Sequence, residues 1–317
     1  MNWLQTFGAA LLLWGAAMAH AAEVACPPPV LPDANTKADS AAAQDFGMLW
    51  RLQRDGRTSY LYGSMHIGRP AWSRPGPALQ DALQKVDVLA LELDGSDSRT
   101  QAALARSSRA DKTAALPPPL QARLDAQSRA ACLPAQSLAP MHPMLQLSTL
   151  TILMARWDGL DMAYGQELML TREARARGLP IVGLERAEDQ MNALIPKDRK
   201  SLLRSLDEGL KQLEQGRVRP ALLRLANAWE RGDLGELQRY EQWCDCVQSE
   251  EDRAWLRRLN DARNPHLAAG IASLHGSGRR VLAAVGALHM SGPQALPRLL
   301  AAKGFTVQQL HPVSNPN

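Results

Sequence analysis

The sequence predicts an α/β domain, with an α+β arrangement as the alternative, and three observations carry that prediction. Strand-like runs lie near both ends of the chain, a helical stretch of residues 96–262 separates most of them, and two of the runs are nearly continuous in apolar residues. Such runs mark strands covered on both faces, as in a parallel sheet packed between helices. The expected architecture is a central sheet built from an N-terminal hairpin and final strands from the C-terminal part, with a large helical insertion between them. With 317 residues, 45% of them hydrophobic and 21% charged, the chain can bury a core and is not disordered, collagen-like or coiled-coil.

The chain opens on an uncharged apolar run, residues 7–19, that ends in Ala19-His20-Ala21. This A-x-A pattern fits signal-peptidase cleavage between Ala21 and Ala22, and about 13 apolar residues are short for a membrane span. Residues 1–21 therefore read as a signal peptide, with an uncleaved anchor or lipid attachment at Cys26 as alternatives. Residues 22–44, with Pro27-Pro28-Pro29 and Pro32, have no period and read as an extended leader. A single domain is expected over 45–312, followed by a tail at 313–317. Export places the protein in the periplasm or secretes it, with no stable membrane insertion after cleavage. Four cysteines in an oxidising compartment then suggest one or two disulfides. Direct closure of Cys244 to Cys246 is expected to be strained, which makes Cys26 and Cys132 their expected partners. The competing reading, half a metal site at Cys244-Asp245-Cys246, lacks a second thiolate pair nearby.

Two alternating runs, 46–53 and 58–63, flank Arg54-Asp55-Gly56-Arg57, and Asp-Gly between such runs predicts a hairpin. A short helix over 77–85 leads into a strand over 86–93 with Glu92 near its end. Residues 141–157 are the most apolar stretch, but His142, Pro143, Gln146, Ser148 and Thr149 make them a buried helix rather than a membrane span. A helix over 166–177 is capped by Gly178 and enters a strand at 180–184. Residues 197–262 are charged and helical, and Leu202, Leu203, Leu206, Leu210 and Leu213 form an apolar face. A helix begins at Asn264-Pro265, with Asn264 as its cap. A second buried strand at 279–286, a helix at 293–302 and a strand at 305–310 complete the domain, and no solenoid-type repeat is present.

Two segments share one form. Tyr60-Leu61-Tyr62-Gly63-Ser64-Met65-His66 and Ala283-Ala284-Val285-Gly286-Ala287-Leu288-His289 each run from a strand into G-x-x-H. Either motif alone is weak, but both glycines fall where strands end, and ligand and catalytic groups in open α/β sheets collect there. Glycine also admits a close backbone approach, which makes Gly63 and Gly286 candidate substrate-binding positions. Glu92 ends a third strand and Glu185 follows a fourth, so two imidazoles and one or two carboxylates would converge on one crevice. Two chemistries fit. His66, His289 and Glu92 can hold a divalent metal that activates water, or one histidine oriented by a carboxylate can act as general base without a metal. Arg263 can hold a substrate carboxylate or an oxyanion in either scheme. Glu185 has the plainer reading of a helix N-terminal charge. His142 and His266 stand beside prolines, while His275 and His311 are placed near exposed helix or chain ends.

These segments, together with LWRLQRDGRTSYLYGSMHIGRP, VDVLALELD, YGQELMLTREARARGLPIVGLERAEDQ and VLAAVGALHMSGPQALPRLLAAKGFTV, resemble the TraB/GumN family over residues 46–310. That family is similar to the Tiki metalloproteases. Its pattern of two G-x-x-H motifs, an intervening acid and an Arg-Asn pair falls on Gly63 and His66, Glu92, Arg263 and Asn264, and Gly286 and His289. Ser64 and Met65 stand where threonine and isoleucine are frequent. The resemblance to Tiki proteins implies metal-dependent peptide cleavage with manganese or cobalt, zinc being a further candidate ion. Similarity to the erythromycin-esterase-like and ChaN-like fold implies a scaffold on which metal-free hydrolysis also occurs. The expected protein is a periplasmic or secreted hydrolase acting on a peptide or small-molecule substrate, with a non-enzymatic, ligand-sequestering envelope protein as the alternative. A nucleic-acid partner is not supported, because the net charge is only +4 and 36 basic residues are scattered among 32 acidic ones.

Overall fold

The hairpin forms as the sequence predicts. In the computed structural model β1 (Met48–Arg54) and β2 (Arg57–Ser64) pair antiparallel from Met48↔Gly63 to Arg54↔Arg57. Asp55 and Gly56 have φ of 50° and 68°, the left-handed pair that a two-residue hairpin turn requires. The structure describes residues 26–30, 44–110, 114–134 and 136–312. The expected signal peptide and cleavage site, most of the expected leader and the tail at 313–317 lie outside the described residues.

The remaining strands are β3 (Val88–Leu91), β4 (Ile181–Gly183), β5 (Val281–Gly286) and β6 (Thr306–His311). They form one sheet in the order β4-β3-β5-β2-β1-β6. The first four strands of that order run parallel, and β1 pairs antiparallel with both β2 and β6. Val88–Leu91 and Val281–Val285 are buried throughout, which explains their continuous apolar composition. The strand expected over 86–93 is shorter because the chain leaves the ladder at Glu92. The helix expected over 293–302 begins only at Leu296. The domain is thus α/β with an antiparallel extension, and β4 interrupts the helical section.

The helical section builds a second core. Leu202, Leu206, Leu210 and Leu213 on the helix Arg199–Glu214 pack with Leu124, Met144, Leu147 and Leu150 from the helices Pro118–Ala130 and Pro143–Leu153. Leu203 turns away and is only half-buried. Among the described residues no helix is long and apolar enough to cross a membrane.

The cysteine pairing differs from expectation. Cys244 bonds directly to Cys246, with Cα atoms 5.0 Å apart, inside the ordinary disulfide range. One intervening residue therefore suffices to bring the thiols together. Cys26 bonds to Cys132, 106 residues away in sequence, with a Cα separation of 5.6 Å, and ties the leader to the end of the helix Pro118–Ala130. His275 also departs from expectation, being fully buried rather than near an exposed end. Its Nδ1 lies 2.8 Å from Ser59 Oγ and its Nε2 3.0 Å from the Arg54 carbonyl, so it fastens its helix to the hairpin.

Beneath the end of β2, Trp229 is fully buried against Trp72, their ring centroids 4.8 Å apart, and its Nε1 donates to the Gly63 carbonyl at 2.7 Å. A Trp229→Ala exchange is expected to cost about 3–5 kcal/mol through the cavity and the orphaned carbonyl. Urea unfolding should show the midpoint falling with little change in slope; an unchanged midpoint would mean that the indole is not a core anchor.

Candidate active site

Parallel register brings the strand-end residues together. β4, β3, β5 and β2 share one direction, so Glu185, Glu92, His289 and His66 leave the same edge of the sheet in that order. Gly286, the last residue of β5, donates its N–H to Glu92 Oε1 at 2.8 Å. A Cβ on Gly286 would stand 3.2 Å from that oxygen, so the glycine lets the carboxylate approach the backbone. Gly63 sits inside β2 with its carbonyl held by Trp229, so it shapes the strand end from below.

Arg263 occupies the middle of the crevice. Its guanidinium donates to both Glu92 and Glu185, and Nε reaches Glu185 Oε1 at 3.0 Å. Its NH1 donates to the Leu259 carbonyl at 2.9 Å and stands 3.4 Å from His289 Nε2. Gln190 adds a further donor to Glu92 at 3.1 Å. Burial alone would raise the Glu92 carboxyl, but His289, His66 and Arg263, with the Gly286 N–H, hold it down to about 2. Glu185 is therefore more than a helix-terminal charge: its nearly buried side chain forms half of a clamp on Arg263.

Asn264 is not the helix cap that its position suggests. It is the first residue of the helix Asn264–Gly276, and its side chain turns to the second G-x-x-H segment. Nδ2 donates to the carbonyls of His289 at 3.2 Å and Gln294 at 2.8 Å, which leaves Oδ1 as acceptor 2.5 Å from His289 Nδ1. His289 Nδ1 must then carry the proton, and Nε2 is the bare nitrogen facing the crevice. Burial, opposed by Glu92 and assisted by Arg263 and His66, pushes His289 down to about 4, so it is neutral near pH 7.

The other imidazole is tuned the opposite way. His66 Nδ1 lies 3.1 Å from Glu167 Oε1, and Ser64 Oγ donates to that same oxygen at 2.5 Å. The Glu167 carboxylate, against some loss from burial, pushes His66 up to about 9. The first turn of the helix Gln166–Ala176 supplies Glu167, and Gln166 N–H donates to the Met65 carbonyl at 2.9 Å. A Cβ on Gly165 would fall 2.5 Å from the His66 carbonyl, so this glycine permits the two segments to meet.

A family model described as the TraB/PrgY/gumN family matches residues 48–309. The chain belongs to this family. No curated protein and no solved structure matches the chain.

In this TraB/PrgY/gumN chain the sequence-derived set His66, Glu92, Arg263, Asn264, Gly286, His289 and Glu185 gathers at one sheet edge. Glu167, Ser64 and Gln190 were missed. Glu167 reads in sequence as an ordinary first-turn acid, and nothing in a spacing of about 100 residues from His66 marks them as partners. As arranged, the site does not fit a resident divalent ion on His66, His289 and Glu92. The Glu92 oxygens are taken by Arg263, Gln190 and the Gly286 N–H, and a guanidinium faces the free nitrogen of His289. Among the described residues no group of three or more His, Cys, Asp or Glu side chains is placed to hold a metal ion.

The opposed shifts set a pH profile. His289, moved from 6.5 to about 4, binds its proton more readily in the unfolded chain, so its contribution to stability is complete above pH 6.5 and lost as pH falls through about 4. Glu92, moved from 4.5 to about 2, deepens that acid limb. His66, moved from 6.5 to about 9, contributes fully below pH 6.5 and loses its contribution as pH rises through about 9; its side chain is 60% exposed, so solvent softens this limb. Urea midpoints measured across pH should peak near 6.5, with His289→Gln flattening the acid side and His66→Asn the alkaline side. A wild-type midpoint that does not change between pH 6.5 and 9 would contradict the His66–Glu167 pairing.

Proposed function

We propose that this TraB/PrgY/gumN protein is a periplasmic or secreted hydrolase that cleaves a peptide or a related carbonyl substrate at the His66–His289 crevice. The observation that carries this reading is the opposite tethering of two imidazoles at one sheet edge: His66 on a carboxylate, His289 on an amide and beside a guanidinium. Titratable pairs whose surroundings drive them apart divide the roles of acid and base. Neutral His289 presents Nε2 to take a proton from water, and Asn264 keeps that nitrogen bare. Protonated His66 donates to the leaving group or faces the developing oxyanion, while Arg263 supplies positive charge to the same crevice. Glu92 and Glu185 hold Arg263 in place and Glu167 orients His66. The resemblance to Tiki proteins favours a peptide bond as the target, and the two disulfides suit an oxidising compartment.

Fluorogenic peptide and ester panels, assayed with the purified mature chain, test the reading. His66→Ala and His289→Ala should each lower kcat by roughly 10²–10⁴ while the fold is kept. Turnover that survives both changes would overturn the assignment. So would a chain that binds a panel peptide equally well with and without these histidines and never cleaves it, which would favour the sequestering alternative. Activity abolished by chelation and restored only by Mn, Co or Zn would replace the metal-free scheme with a metal-dependent one.

A further inference from the structure

The opposite edge of the sheet carries a second constellation. An open cavity of about 370 Å³ is lined by Arg51, Arg57, Thr58, Tyr60, Lys85 and Arg280, with Gly56 of the hairpin turn. Arg57 and Thr58 begin β2, Arg280 directly precedes β5, and Lys85 follows the helix Pro77–Gln84. The cavity therefore lies at the amino-terminal edge of the parallel strands, about 20 Å along β2 from His66.

Its cations are incompletely neutralised. Arg280 is paired with Asp87 through two hydrogen bonds, and Lys85 with Asp81 at 2.7 Å. Among the described residues the guanidinium groups of Arg51 and Arg57 meet only neutral acceptors, the Gln308 side chain and the His275 carbonyl. Four cations against two carboxylates leave an excess of two positive charges. The donors come from four separate stretches of chain, so they approach from several directions.

We infer that this cavity is a binding site for a phosphate group. A phosphate carries close to two negative charges at neutral pH and three acceptor oxygens pointing in different directions, which matches both the excess charge and the spread of donors. Arginine forks suit its oxygens better than a point charge does. Thr58 and Tyr60 also line the cavity. The group belongs either to a soluble phosphomonoester or to a lipid headgroup.

Calorimetric titration of the full chain with inorganic phosphate and with glycerol phosphate, against sodium chloride at equal ionic strength, tests this. Binding beyond the chloride control is expected, and Lys85→Glu and Arg57→Gln should each weaken it by about tenfold or more. Lys85 is exposed, so its variant keeps the test valid if Arg57→Gln fails to fold. Heats no larger than those in chloride, or equal affinity in a folded Lys85→Glu variant, would overturn the inference. Sedimentation with phosphatidic acid vesicles over phosphatidylcholine vesicles, lost in Lys85→Glu, assigns the phosphate to lipid; binding of the free phosphates without sedimentation assigns it to a soluble ligand. None of these readouts depends on turnover at the crevice.

Discussion

Arg263 ties the ends of two neighbouring strands, already paired in the sheet, to the start of a distant helix. Its guanidinium spans Glu92 after β3 and Glu185 after β4 while its own helix begins one residue later. A dry ion pair of this kind returns little net stability, because desolvating the charges offsets most of their attraction. Its consequence is geometric. With the cation removed, two neighbouring carboxylates would stand buried without their shared counter-charge, although the β3–β4 ladder would still hold the strand ends side by side. The residue that follows inherits the placement: Asn264 is delivered to the second G-x-x-H segment, where it decides which nitrogen of His289 is bare.

The clamp works because the sheet brings its ends level. β2, β5 and β3 are paired in parallel register over four to five residues each, and all three chains leave the ladder within a few residues of one another. The antiparallel hairpin holds the other side, with Trp229 gripping the last turn of β2 from below. A one-residue slip of β5 against β3 would move the Gly286 N–H off Glu92 and turn alternate side chains to the other face. Rigid strands thus position groups that loops then present.

Much of this was legible in the sequence, and the illegible parts have identifiable causes. The hairpin followed from Asp55-Gly56, the buried parallel strands from unbroken apolar runs, and the shared crevice from G-x-x-H at two strand ends. Glu167 was hidden because a carboxylate in the first turn of a helix already has a sufficient local explanation. Asn264 was misread for the same reason, since Asn before Pro is a good cap signal while its real partners lie 25 and 30 residues away. Cys244 and Cys246 were judged by general disulfide strain, yet the local backbone brings their Cα atoms to 5.0 Å. For Glu167 and Asn264 a local rule competed with a tertiary contact and the contact prevailed; for the cysteines a general rule gave way to the local backbone.

The net charge of +4 illustrates the same limit in a different form. Glu92, Glu167 and Glu185 lie at the carboxyl edge of the parallel strands, while Arg51, Arg57, Lys85 and Arg280 lie at the amino edge. Along the chain these positions are interleaved, so composition shows only a weakly basic protein. In space they are separated by about the length of β2, roughly 20 Å, which exceeds a Debye length of about 8 Å at physiological salt. Charge added or removed at the amino edge is therefore weakened by distance, and the groups that shift His66 and His289 are their neighbours at the carboxyl edge. The two local balances have opposite sign and the whole-chain +4 shows neither, because each has meaning only at its own end of the sheet.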